Sequence, residues 1–468
     1  MKIINNLEEA IRKVGLEDGM TISFHHHLRN GDFVLNMVLN KAAEMGIKNL
    51  TIAPSAIFPV HSDIIKYLKS GVIKKIECNY MSGEVGEAVS EGIMDEPVIF
   101  RSHGGRARAI AGGELKIDAA FLAAPAADSE GNINGINGKA ACGSLGYAFS
   151  DAVYADKVIA VTDNIEEYPL TPVSIDQTYV DYVVEVEKIG DPEGIVSGTT
   201  QVTQDPVGLK IAEYAAAVIE EANLLKDGLN FQTGAGGISL AVAEKLKDKM
   251  IAENIIGNFA MGGITSYLVK MMEEGLFKSI LDVQCFDLEA VRSIRENIEH
   301  QEISSSWYAN PESKSCAVDM LDVVILGAAE IDTEFNVNVL TNSNGVIIGG
   351  SGGHNDTAAG AKLTIVVTPL FRTRLPIVVD QVLAKTTPGE HIDVLVTERG
   401  IAVNPADQEL YKKLKKTNLP ITTIQKLKEK AEKIAAKPQK IEFSDRIIAL
   451  VEARDGEIID ELRKPLVK

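Results

Sequence analysis

The chain has 468 residues, with 66 Asp and Glu against 47 Lys and Arg, for a formal net charge of −19 at pH 7. A 45% hydrophobic and 24% charged composition suits a globular protein of two or three domains with a large core. The acidic balance argues against nucleic acid as the main partner, and no run of about 18 apolar residues offers a membrane span. The opening MKIINNLEEAIRKVG lacks an apolar core of signal-peptide length. Cys78, Cys142, Cys285 and Cys316 form no CxxC pair and show no metal spacing, so reduced thiols in the cytoplasm are expected.

Strand-like apolar runs alternate with helical patterns, which predicts an α/β fold with mostly parallel sheets. Met20–Phe24 leads to a polar loop containing His25, His26, His27 and Arg29, then to a helical pattern over Phe33–Met45. Leu50–Ala53, Ile73–Cys78, Val98–Phe100, Ala119–Ala123 and Val158–Thr162 continue the strands. Glu185–Gly208, rich in Gly, Pro, Thr and acids, has the composition of a connecting loop, and helix resumes at Leu209–Asn223.

The two halves repeat one another. IDAAFLAAPAADSEGNIN from Ile117 aligns without gaps with LDVVILGAAEIDTEFNVN from Leu321 (118 faces 322), matching Asp118, Leu122, Asp128, Glu130, Asn132 and Asn134. At the same offset Gly71 faces Gly275, while Asp18 faces Asp227 and Thr162 faces Thr368 at nearby offsets. Four ordered matches indicate a duplicated domain, with units at 1–190 and 209–404 and a basic helical extension at 405–468. Within that extension, Tyr411 to Lys440 holds ten lysines and two glutamates. Ile424, Leu427, Ala431 and Ile434 give it an apolar stripe at helical spacing.

The stretch VIIGGSGGHNDTAAGA, Val346 to Ala361, is the strongest candidate site. Its glycines would let backbone N–H groups approach a ligand closely. His354, Asn355 and Asp356 add polar chemistry, His354 either contacting ligand or ordering the loop. Arginine offers a fixed cationic fork for a carboxylate, which lysine does not. Arg101, Arg106 and Arg108 bracket a Gly-Gly turn at a strand end, Arg372 and Arg374 follow another strand, and Arg399 sits later still. The three consecutive histidines are poor metal ligands if extended, because alternate side chains diverge, so no metal site is expected. A substrate-binding role for His26 and Arg29 in this loop, donating hydrogen bonds to a carboxylate or phosphate, is the preferred reading.

Several segments resemble the CoA-transferase superfamily. FQTGAGGISLAV (Phe231–Val242) is similar to the glycine turn opening its second domain, GGSGGHNDTAAGAK to its GGxGGxxDxxxGA segment, and VTERGIAV (Val396–Val403) to a late motif. SFHHHLRNGD, SHGGRARAI (Ser102–Ile110), AADSEGNINGINGKAACGSLGYA and FSDRIIALVEARDG extend the likeness over essentially the whole chain, toward the citrate lyase alpha-subunit family. The match begins a little later than is usual for that family.

The resemblance implies two tandem Rossmann-like CoA-transferase domains that move an acyl-carrier thiol from acetate to citrate. It implies citrate and an acetyl-thioester as substrates, a beta (lyase) subunit and a gamma (acyl carrier) subunit as partners, and an oligomer. No tightly bound cofactor is implied. The co-substrate is acetyl-CoA or the dephospho-CoA-derived prosthetic group of the carrier.

Carbonyl addition builds negative charge on oxygen, and backbone N–H donors from Gly236 and Gly237 or from Gly350, Gly352 and Gly353 answer it, with His354 beside them. Gly234, Ala235, Ala260, Met261, Gly262, Gly263, Asn355 and Asp356 are the expected thioester contacts. Many superfamily members carry a nucleophilic glutamate where this chain has Ala260, which implies direct attack by citrate. A citramalate lyase alpha subunit, a free-standing acetyl-CoA:citrate CoA-transferase and a non-catalytic scaffold are the alternative readings.

Overall fold

The computed structural model describes residues 2–196, 201–435 and 441–466. The first sheet is built from β1 (Thr21–Phe24), β2 (Leu50–Pro54), β3 (Ile73–Cys78), β4 (Val98–Phe100), β5 (Ala119–Ala124), β6 (Lys157–Thr162) and β7 (Tyr182–Glu185). These run parallel in the order β7-β6-β5-β1-β2-β3-β4, with Ile3–Ile4 at the β7 edge. Every residue of β5, AAFLAA, is buried, as a strand covered on both faces requires. The helix Val34–Glu44 buries Val34, Leu35, Val38, Leu39 and Ala42, one stripe at helical spacing laid against the sheet.

The second sheet contains β8 (Asn230–Thr233), β9 (Gly257–Ile264), β10 (Phe277–Cys285), β11 (His300–Glu302), β12 (Val323–Leu326), β13 (Leu363–Val367) and β14 (Val394–Thr397). Its parallel order, β14-β13-β12-β8-β9-β10-β11, is that of the first sheet strand for strand. Matched residues make matched bonds. Asp118 accepts from Thr21 N at 2.7 Å and Asp322 from Asn230 N at 2.9 Å, each tying two strand starts together. Asp18 caps Lys48 N as Asp227 caps Ile256 N. Asn134 and Asn338 each receive two backbone N–H groups of the turn that follows them.

The expectation of a basic helical extension at 405–468 needs correction. Helices Gln408–Leu414 and Ile424–Ile434 form, burying Ile424, Leu427 and Ala431, but Ile434 is exposed. Ile421–Thr422 adds to the second sheet through β15 (Gly400–Val403). The chain then returns to the first unit as a hairpin of β16 (Phe443–Glu452) and β17 (Ile458–Pro465), with β16 parallel to β4. An open β4 edge would leave backbone donors and acceptors unpaired, and the hairpin covers it. Residues 436–440 of the lysine-rich segment, and 197–200 of the connecting loop, lie outside the described residues.

Candidate active site between the two sheets

The C-terminal ends of the strands of both units meet, the place where open α/β sheets bind ligands. After β1, His25, His26 and His27 are all buried. His25 Nε2 lies 2.9 Å from Ala123 O and so carries the proton, leaving His25 Nδ1 as acceptor for His27 Nδ1–H at 2.8 Å. A neutral His27 then accepts from Tyr147 N through Nε2 at 3.3 Å. Burial and the neighbouring histidines hold His26 and His27 well below the usual histidine range, which keeps them neutral. His26 Nδ1 pairs with Ser55 Oγ, and Gln284 Nε2 of the second unit donates to His26 O at 3.0 Å.

A closed circuit of contacts runs through both units. The Arg29 guanidinium lies over Phe58 at 5.3 Å; Phe58 adjoins His26 at 6.0 Å, and His26 stacks on His103 at 5.8 Å. His103 Nε2 faces Gly352, and Gly353 abuts the Tyr308 hydroxyl. Tyr308 accepts from Gln232 Nε2 at 3.0 Å, Gln232 fills the space beside Gly262, and the Phe286 ring fills that beside Gly263. Phe286 closes the circuit under Arg29 at 4.5 Å. Among the described residues Arg29 has no carboxylate partner and no side-chain hydrogen bond. It is a cation held between two aromatic faces with its donors free, its pKa lowered by burial. No Asp or Glu belongs to the circuit.

The glycine loop is shaped by close contacts with the other unit. A Cβ on Gly350 would stand 2.1 Å from Asn79 O of the first unit, and Met81 N donates to Gly349 O at 2.9 Å. Gly352 takes a positive φ of 51° and meets Ser102 in an isolated β-bridge. Asp356 accepts from Ser102 Oγ at 2.7 Å and Gly104 N at 2.9 Å. Burial raises its pKa to about 6 against those bonds. Asn355 bonds Thr386 O and receives Arg454 N from the C-terminal hairpin. His354 engages Thr387 Oγ1 at 2.8 Å and Gly327 O at 2.9 Å, so both ring nitrogens are used in ordering the loop. Asn355, Asp356 and His354 thus bind the loop and the units together, and their polar atoms face protein rather than an open site.

The arginines divide in the same way. Arg106 is buried in a bidentate pair with Asp151 at 2.8 and 2.7 Å, its Nη2 also donating to Ala53 O. Arg101 bonds Glu77 and Glu452, and Arg108 bonds Glu114 and Glu452. These three fasten helix His103–Ala111 and the C-terminal hairpin in place and have no free fork. Arg372 and Arg374 lie on an exposed two-stranded turn, and Arg399 is exposed beside Glu398. None of the six joins Arg29.

Gly234, Ala235, Gly236 and Gly237 make the turn from β8 into the 17-residue helix Gly237–Glu253, whose N-terminus has no side-chain cap. Ala260 and Met261 are buried within β9, Ala260 opposite Phe231 and Ile280, while Gly262 and Gly263 stand at a register shift near its end.

The family model for the citrate lyase alpha subunit matches residues 1–465. The chain is 52% identical to the citrate lyase alpha chain of Haemophilus influenzae, over 98% of this chain and 92% of that one. The chain belongs to the citrate lyase alpha-subunit family. It is 50% identical to the corresponding chain of Klebsiella pneumoniae, over 99% of this chain and 91% of that one. A solved alpha subunit of citrate lyase from Streptococcus mutans, in complex with citrate, superposes with a TM-score of 0.98 at 52% identity, covering 100% of this chain and 92% of that one. The malonate decarboxylase alpha subunit of Acinetobacter baumannii shares the fold at a TM-score of 0.68 and 15% identity, over 93% of this chain and 89% of that one.

Within this citrate lyase alpha-family chain, sequence reasoning had not singled out Phe58, His103, Tyr147, Gln232, Phe286 or Tyr308. Each lies at or just beyond a strand end, or packs there from a neighbouring helix. His103, Tyr147 and Gln232 stood inside the SHGGRARAI, AADSEGNINGINGKAACGSLGYA and FQTGAGGISLAV segments, so their positions carried a signal. The others resemble ordinary core residues until the two sheets are brought together.

Proposed function

We propose that this protein transfers a carrier or CoA thiol from an acetyl-thioester to citrate, giving citryl-thioester and acetate. The observation that carries this reading is Arg29, a half-buried guanidinium between two aromatic faces, without a counter-charge among the described residues, at the meeting of the strand ends in a chain of the citrate lyase alpha-subunit family. Such a cation is held at a cost unless an anion joins it, and a citrate carboxylate suits its planar fork.

In the first step a citrate carboxylate oxygen bonds to the acetyl carbonyl carbon and the C–S bond breaks, giving a mixed anhydride and a free thiolate. The thiolate then bonds to the citryl carbonyl carbon and acetate leaves with the bridging oxygen. No net proton is exchanged. The absence of Asp and Glu from the circuit, among the described residues, favours direct attack by citrate over a carboxylate of the enzyme. Holding both reactants side by side lowers the entropic part of the barrier.

The donor is acetyl-CoA or the carrier's dephospho-CoA-derived group, bound as co-substrate. The glycine turn Gly234–Gly237 at an uncapped 17-residue helix offers donors for its phosphates. Beta and gamma subunits of citrate lyase are the inferred partners. The shared strand order and paired Asp and Asn contacts support descent of the two Rossmann-like units from one duplicated domain. The test is incubation with acetyl-CoA or the acetylated carrier and citrate, then citramalate, then no acid. Citryl-thioester with citrate supports the reading, preference for citramalate moves it to that lyase, and no thioester with either donor favours a scaffold.

A further inference from the structure

Besides Arg29, the circuit holds a second polar side chain without a hydrogen-bond partner among the described residues, His103. His103 opens the helix His103–Ala111, its ring packed on Tyr147 at 4.2 Å and on His26 at 5.8 Å between centroids. Its two ring nitrogens are in opposite situations. Nδ1 is sealed from solvent and has no hydrogen-bond partner. Nε2 is also unbonded but is not sealed, and lies 3.5 Å from the point where a Cβ on Gly352 would stand.

A neutral imidazole carries one ring proton. A sealed N–H without an acceptor is the costlier arrangement, so the lone pair belongs on Nδ1 and the proton on Nε2. Arg106 follows one turn along the same helix, and its Nε is another sealed nitrogen without a partner. Its positive charge stabilises a lone pair on the ring and resists a second ring proton. Burial and Arg106 together press the His103 pKa down to about 3. The ring is therefore a neutral donor with its N–H toward the glycine loop. Beside it, the amides of Ser351 and Gly353 have no acceptor among the described residues.

We propose that His103 Nε2–H and the Gly353 and Ser351 amides form the donor set for the carbonyl oxygen of the reacting thioester, making His103 a catalytic residue. This rests on the thiol transfer proposed above. As the citrate oxygen adds to the carbonyl carbon, the C=O electron pair moves onto oxygen and is held by these donors. The pair returns as the C–S bond breaks and the thiolate departs. His103 keeps its proton throughout, so its role is electrostatic and not that of an acid or base.

The experiment compares His103→Leu and His103→Gln with the unaltered protein, using acetyl-CoA and the acetylated carrier as donors. Rates are read together with citrate affinity by calorimetry. His103→Leu is expected to lower kcat about 100-fold while citrate Kd stays within about twofold, and His103→Gln, which keeps an N–H donor, to recover at least about tenfold. Three results overturn the assignment: a His103→Leu kcat within about threefold of the unaltered protein, a Gln variant no better than Leu, or citrate binding lost in parallel with kcat. An unaltered protein that forms no citryl-thioester from either donor refutes the transfer reading itself, and the assignment with it. That result is distinct from an active protein and an equally active Leu variant.

Discussion

Ser102 Oγ donates to Asp356 at 2.7 Å across the boundary between the two units, while the same oxygen accepts from Gly105 N at 2.9 Å. Ser102 thus caps helix His103–Ala111 and fixes that helix against the glycine loop with a single hydroxyl. The placement of His103 opposite Gly352 follows from this bond and from the β-bridge beside it.

Asp356 is buried and its pKa is raised to about 6, above its value in an unfolded chain. The folded state therefore holds the proton over a range where the unfolded state has lost it, and stability falls as pH rises through that range. Between about pH 4 and pH 7 the unaltered protein should lose about 2 to 3 kcal/mol relative to Asp356→Asn. Denaturant unfolding of both proteins across this range checks it; a pH-independent difference would show that Asp356 titrates normally.

Arg29→Met keeps most of the packing between Phe58 and Phe286 and removes the unpartnered charge. The variant should melt no lower than the parent yet bind citrate about 10- to 100-fold more weakly, the scale of one charge-assisted bond. Calorimetric titration with citrate decides it, and unchanged affinity would place the acid elsewhere.

Arg106 behaves differently. Arg106→Met strands the buried Asp151 carboxylate and should destabilise the fold by about 3 to 5 kcal/mol. Adding Asp151→Leu removes the stranded charge and should recover most of that loss. If the single variant melts normally and only its citrate Michaelis constant rises, Arg106 belongs to the substrate after all.

The lysines of helix Gln408–Leu414 and the turn after it give an acidic protein a basic surface, with Lys412, Lys415 and Lys416 exposed and Lys413 half-exposed. Such a surface would steer an acidic carrier protein. Changing Lys412, Lys413, Lys415 and Lys416 to Glu should slow transfer from carrier-bound acetyl about tenfold at low salt, with free acetyl-CoA used normally. Equal loss with both donors would make the segment structural.

Much of the fold was legible because parallel strands buried on both faces read as apolar runs; Asp118 and Asp322, aligned in the sequence, also make the same bond between strand starts. The C-terminal hairpin was not legible, since the need for it arises from the bare edge of β4, more than 300 positions earlier in the chain. The candidate site was half legible. Arg29, His26 and the glycine loop stood out by residue type, whereas Arg101, Arg106 and Arg108 looked equally suited to citrate. What separates them is the set of carboxylates facing each guanidinium, drawn from Glu77, Glu114, Asp151 and Glu452. Composition reveals charge but not its partner.

Direct attack by citrate on the thioester is tested most sharply by one turnover with citrate labelled with oxygen-18 in its carboxylates. Enzyme in excess over acetyl-thioester is mixed with labelled citrate, and the acetate released is weighed by mass spectrometry. Transfer through the mixed anhydride predicts acetate carrying one citrate oxygen from the first turnover. Unlabelled acetate would contradict it, because the oxygen would then have come from a carboxylate of the enzyme.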